Sequence, residues 1–197
     1  MFLQLTLSGL AQGAIYALIA LSLTVVYRAT TIINFGHGDF VMAGAFVAYV
    51  LVIYLGLPYV PAAVLAIVIL FVMGVGFSRG FIDPIKTGPH IGFAMMSISI
   101  GYVLRGSART LWGREVFPMP QVFDMEPIFL GDLVVTGDAL FIIAIVAGLL
   151  AIFFLIFYRT TVGTVIQAVY QSERGATLIG VNARAFHETM WGVGLAM

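Results

Sequence analysis

The sequence contains no cysteine. Disulfides and thiolate-bound metal are therefore excluded, and the redox compartment is left unmarked. Charge is almost as scarce: only 9% of the 197 residues are Asp, Glu, Lys or Arg, against about a quarter in a soluble domain. Nine basic and nine acidic residues cancel to zero, which gives no electrostatic case for nucleic acid or an acidic partner. Catalytic signatures are missing as well. His37 and Asp39 lie two apart, on different faces of any helix, and His90 and His187 stand singly in what read as separate loops. There is no paired-histidine metal motif, no G-x-S-x-G elbow and no G-x-x-x-x-G-K-[ST] phosphate loop. No enzymatic activity, no cofactor and no ATP site are expected in this chain.

What remains is apolar. Hydrophobic residues make up 61% of the chain and the mean hydropathy is +1.10, a composition that belongs in a bilayer. Crossing hydrocarbon as helix takes about 20 consecutive apolar residues. Five stretches meet this: Phe2–Tyr27, Phe40–Leu57, Val60–Phe77, Ile91–Trp112 and Ala139–Tyr158. A sixth opens near Phe186 and runs about half a span before Met197. The expectation is an all-α polytopic membrane protein, a single transmembrane domain over 1–197 that looks incomplete at its C-terminus. A cleavable signal peptide is not expected, because the first stretch is as long as a full span and lacks a basic leader and an A-x-A pattern.

Basic residues orient the spans. With the loop at Arg28 inside, alternation puts Arg79, Lys86, Arg159, Arg174 and Arg184 inside as well. The segment with Glu115, Asp124, Glu126, Asp132 and Asp138 against Arg114 then lies outside. This satisfies the positive-inside rule and puts the N-terminus outside.

Three features carry possible chemistry. The stretch Thr31–Phe40, TIINFGHGDF, places Asn34, His37 and Asp39 in an apolar setting, with Gly36 and Gly38 flanking the histidine. One reading is a broken helix lining a transport route. The other is an ordinary cytoplasmic turn. Arg105 and Arg109 lie one helical turn apart near the far end of the fourth span. They form either a cationic patch for a substrate carboxylate or a snorkelling pair that meets the acidic outer loop. Finally, Arg159–Asn182, RTTVGTVIQAVYQSERGATLIGVN, is too polar for lipid. A helix over Gly163–Leu178 would align Gly163, Gln167, Tyr170 and Arg174. Gly175, Ala176 and Gly180 would admit a close partner, and Gly180 would stop the helix. A plain inner loop is the competing reading.

The runs GLAQGAIYALIALSLTVVY, TTIINFGHGDFVMAGAFVAY and RTTVGTVIQAVYQSERGATLIGVN resemble the membrane permease subunits of high-affinity branched-chain amino acid ABC transporters. The middle run matches an I-N-F-x-H-G-[DE] motif of that group. The last matches its ATPase-coupling loop at Arg159, Thr160, Gly163, Ala168, Leu178, Gly180 and Asn182. The resemblance implies a multi-pass protein of the bacterial inner membrane, with 159–182 as a cytoplasmic coupling loop. Its partners would be cytosolic ATPase subunits, a second permease subunit (identical or sister), a periplasmic substrate-binding protein and membrane lipids. It makes Asn34, His37 and Asp39 candidates for the pathway or gate. Gln167 departs from the pattern, standing where a basic residue is common, and Ser172 where Asp or Asn is. Arg105 and Arg109 are unusual for the fourth span. Related permeases serve urea, short amides or other amino acids. An ion-coupled carrier, the different class, would need buried mid-span carboxylates.

Overall fold

A computed structural model of the chain describes residues 2–85, 90–113, 115, 117–119, 128–130, 133–135 and 137–197. Lys86, Arg114, Asp124, Glu126 and Asp132, used above for orientation, lie outside the described residues. The helices are α1 (Phe2–Thr30), α2 (His37–Tyr49), α3 (Tyr59–Phe77), α4 (His90–Trp112), α5 (Gly137–Arg159), α6 (Thr161–Gln171), α7 (Glu173–Leu178) and α8 (Ala183–Ala196). Wider turns prolong α2 through Val50–Tyr54 and α3 through Ser78–Ile82. His90 opens α4 and His187 sits in α8, so neither is the loop residue that the sequence suggested.

Among the described residues, five helical stretches are long and apolar enough to cross a membrane: Gln4–Thr30, His37–Tyr54, Tyr59–Ile85, Ile91–Trp112 and Gly137–Arg159. They are the five expected spans, with ends shifted by at most three residues except in the third, which runs eight residues past Phe77 to Ile85. At about 1.5 Å per residue even the shortest, of 18 residues, spans most of a hydrocarbon core. The helical framework has one addition, a small antiparallel pair of β1 (Ile128–Leu130) and β2 (Leu133–Val135), in which Ile128 faces Val135 and Leu130 faces Leu133.

Residues 1–21 and 119–167 form one compact unit, and 22–118 with 168–197 form another. In the first, α5 buries only Val146 and is apolar around most of its circumference. A helix of that kind is stable only in lipid or against other apolar elements. Its last turns carry aromatic pairs one turn apart, Phe153 on Phe157 at 6.0 Å and Phe154 on Tyr158 at 6.2 Å.

The second unit has a true core of Val26, Phe40, Phe77, Ile82, Phe93, Trp191 and Leu195. Its main contact is α3 against α8. Trp191 is fully buried, with its ring 5.1 Å from Phe77, which in turn meets Phe40 edge-on at 5.1 Å. The helices come that close because Gly74 has no side chain: a Cβ there would lie 2.5 Å from the Trp191 carbonyl. α8 opens at Ala183, three residues before the expected Phe186, because Asn182 Oδ1 accepts from Ala185 N at 3.1 Å and caps it. Charges lock the same junction. Glu188, buried on α8, accepts from Arg79 at 2.7 Å and from Arg184 at 3.2 Å, while Arg184 also reaches Asp83 at 2.9 Å.

Candidate functional site

α1 stops at Thr31, whose φ of +56° is left-handed and unusual for a β-branched residue. The chain then turns back along the helices instead of leaving them. Phe35 N donates to Ser97 Oγ at 3.2 Å, and Gly36 N donates to Asn34 Oδ1 at 3.1 Å. Ser22 Oγ of α1 hydrogen-bonds His37 Nε2 at 2.6 Å. Gly36 packs directly on the Ser97 carbonyl, where an added Cβ would collide.

These partners fix the depth of α2. Ser22 lies eight residues before the end of α1 at Thr30, and Ser97 seven residues after the start of α4 at His90. At about 1.5 Å per residue, the head of α2 therefore begins roughly 10–12 Å inside the near ends of both helices. α2 starts alongside α1 and α4, not beyond their ends. In this non-helical stretch Asn34 and Gly36 are buried, as is His37 at the start of α2, while Ile33 and Phe35, on either side of Asn34, are exposed. Of the two glycines flanking His37, only Gly36 sits at the break. Gly38 lies inside the first turn of α2 with open space where its side chain would be.

Asp39, in that first turn, accepts from Arg105 Nη2 at 2.8 Å and Nε at 3.0 Å. Gly101 makes room, since a Cβ there would run into the Asp39 carboxylate. The pair neutralises two charges that would each be costly alone in the membrane. It also corrects the expectation that Arg105 meets the acidic outer loop: its partner is on α2, 66 residues away in sequence. Ser22 and Ser97 were invisible to sequence reasoning because serine in an apolar span commonly bonds its own helix. Ser97 does so as well, donating to Ala94 O at 2.9 Å. Among the described residues, no group hydrogen-bonds Asn34 Nδ2 or His37 Nδ1. Ser78 Oγ and Trp191 Nε1, at the α3–α8 junction, are in the same state.

The Arg159–Asn182 segment is built differently. The single helix expected over Gly163–Leu178 is two helices, α6 and α7, because Ser172 is extended, with φ −158° and ψ 104°. Its hydroxyl caps α7 by accepting from Gly175 N at 3.0 Å. The break removes the expected alignment of Arg174 with Gly163, Gln167 and Tyr170. Gly180 does stop α7. With φ +93°, it lets its own N–H bond Thr177 O at 3.1 Å and Val181 N bond Ala176 O at 3.0 Å, the paired closure of a helix C-terminus.

Burial sorts the coupling candidates. Gly163 and Ala176 are buried within the chain, Ala168 and Gly175 are half-buried, and Arg159, Thr160, Leu178, Gly180 and Asn182 are exposed. The small size of Gly163 serves its own chain, since a Cβ there would strike the Phe157 carbonyl. At the tip of the arm, Leu178 is 88% exposed and Ile179 77%. Tyr170 lies under the Arg28 guanidinium at 5.8 Å.

The family model described as branched-chain amino acid transport system / permease component matches residues 5–196. The chain belongs to this permease family. It is similar to the high-affinity branched-chain amino acid transport system permease protein BraD of Pseudomonas aeruginosa, at 25% identity over 209 residues, covering all of this chain and 68% of BraD. LivH of Escherichia coli K12 and LivH of Salmonella typhimurium, named for the same transport system, are each 24% identical over 210 residues, with the same coverage. No solved structure matches the permease at a significant level. The Asn34–Asp39 head and the α6–α7 arm both fall inside the matched range.

Proposed function

We propose that this permease is the membrane subunit of an ATP-driven importer of branched-chain amino acids in the bacterial inner membrane. It lies with its N-terminus outside and its α6–α7 arm in the cytosol. A periplasmic binding protein delivers the amino acid, a second permease subunit completes the pathway, and separate ATPase subunits do the hydrolysis. The chain itself catalyses no reaction and needs no cofactor.

The observation that carries the drive step is the bare apolar tip of α7. Leu178 and Ile179 stand almost fully exposed on a helix capped at both ends by Ser172 and Gly180. A short, rigid helix with an apolar end fits into a groove of a partner. The motion has a direct route inward, because α7 touches α8 and α8 packs along α3. The head of α2 is the proposed gate, with Asn34 and His37 lining it and Asp39 locked to Arg105. Only contacts that differ between two states can bias such a gate.

An ion-coupled carrier is the competing class, and one observation disfavours it. Asp39, the carboxylate nearest to mid-span, is already held by Arg105. Relatives named for branched-chain amino acids favour that cargo over urea or short amides.

The test uses the absence of cysteine. Leu178→Cys as the sole thiol, in membranes with the ATPase subunits, is expected to cross-link to them in a manner that changes with ATP. An accessible thiol in an inserted protein that never cross-links would sink the docking. Ala176, buried beneath the tip, is the wrong position for the label.

A further inference from the structure

We propose that the far end of α4 carries a subsite for a zwitterionic α-amino acid with an apolar side chain. Arg109 takes the carboxylate, Glu115 takes the ammonium, and an apolar chamber between α2 and α4 takes the side chain. The subsite rests on the reading of the chain as an amino-acid permease and names the residues that hold the cargo.

Two adjoining cavities make up the site. One, of about 590 Å³, is lined by Met42, Phe46, Arg105, Arg109, Gly113 and Glu115, among others. The other, of about 320 Å³, is lined mainly by apolar residues, including Phe46, Val50, Leu104 and Trp112. They share Met42, Phe46 and Ala108, so a molecule can sit in both at once. The Ser107 hydroxyl in the second is committed to Val103 O at 2.8 Å, which leaves that chamber without a free polar group from this residue. Binding sites for small molecules typically join a mostly apolar chamber to a few placed polar groups in this way.

The charges are distributed to suit one ligand chemistry. Arg105 is spent on Asp39. Arg109, one helical turn further, faces the same cavity, and among the described residues no carboxylate pairs with it. Glu115 lines that cavity too, again with no cation bound to it among the described residues. An anion and a cation that face one space without meeting are both satisfied by a ligand bearing both charges. A simple carboxylate would leave Glu115 unpaired, and a simple amine would leave Arg109 unpaired, so each is disfavoured. The planar guanidinium is suited to holding a carboxylate by two parallel hydrogen bonds. The aromatic wall is firm: Phe46 stacks on Trp112 at 4.7 Å, and Phe117 packs on Tyr49 at 5.3 Å, tying the residues after α4 back to α2.

The experiment is equilibrium binding of tritiated leucine to the full-length protein in phosphatidylcholine nanodiscs, with competition by leucinamide and by 4-methylpentanoate. Leucinamide lacks the carboxylate and 4-methylpentanoate lacks the ammonium. The expected result is saturable leucine binding, with each analogue weaker by about tenfold or more, the loss of one charged hydrogen-bonding partner. Arg109→Gln should erase the preference over leucinamide, and Arg109→Lys should restore part of it. Glu115→Gln should erase the preference over 4-methylpentanoate alone. Absence of saturable binding, or variants with an unchanged analogue pattern, would overturn the subsite. Because no ATPase takes part, failure here is separate from failure of the importer reading, which ATP-dependent uptake tests.

Discussion

At the head of α2, Asn34 and His37 are buried inside a membrane helix cluster, while at the tip of α7 Leu178 and Ile179 stand in the open. Each region breaks the usual pattern of burial, in opposite senses. Polar groups belong inside only when partners meet them, and the α2 head has recruited Ser22, Ser97 and Arg105 from two other spans. Exposed apolar side chains are ordinary when scattered and mark contact surfaces when clustered, and among the described residues little covers Leu178 and Ile179 at the α7 tip. The contrast shows where each region gets its structure. The head is held by tertiary contacts, the tip by local capping at Ser172 and Gly180. Damage to the first should therefore unfold, and damage to the second should uncouple.

The largest effect is expected from Gly36→Val. A Cβ there meets the Ser97 carbonyl, which is backbone and cannot swing aside. Overpacking of this kind costs about 1–3 kcal/mol, and thermal unfolding in detergent should show a clear drop with loss of uptake. An unchanged melting curve would mean the head of α2 is not seated on α4. His37→Ala removes the buried bond to Ser22 and should cost about 1 kcal/mol, since hydrogen bonds between membrane helices are modest. Transport should fall further than the amount of protein inserted, which quantitative blotting beside uptake would reveal. Gly38→Ala should go the other way, raising stability by about 0.5–1 kcal/mol, because this glycine is helical with open space beside it. Any loss would restore the view that both glycines break the helix. The smallest effect on folding belongs to Leu178→Asp. An exposed substitution of this kind changes stability by about 0.5 kcal/mol or less, yet ATP-dependent uptake should be abolished while the unfolding curve stays put. If uptake survives, the α7 tip is not the point of drive.

The spans were legible because a run of about 20 apolar residues has few other uses. The stop at Gly180 was legible because a left-handed helix end favours glycine. The break at Ser172 was not, since serine is tolerated in helices and its capping role depends on backbone already extended there. The partner of Arg105 was misread for another reason. Charge balance along the chain pointed to the acidic loop, whereas the pair formed with Asp39 across 66 residues. Glu188 drew no notice at all, although it joins Arg79 from 109 residues away.

By itself, the sequence determined that this is a helical membrane protein, which segments span, and that the Asn34–Asp39 and Arg159–Asn182 stretches stand apart from lipid-facing helix. Local hydrophobicity and backbone chemistry suffice for those properties, because each is a sum over neighbours in the chain. Only the tertiary structure decided that α2 begins alongside α1 and α4, that Arg105 pairs with Asp39, and that Ala176 is hidden while Leu178 is bare. Those properties depend on which distant side chains share one small volume, and packing three-dimensional space sets that outcome, not order along the chain.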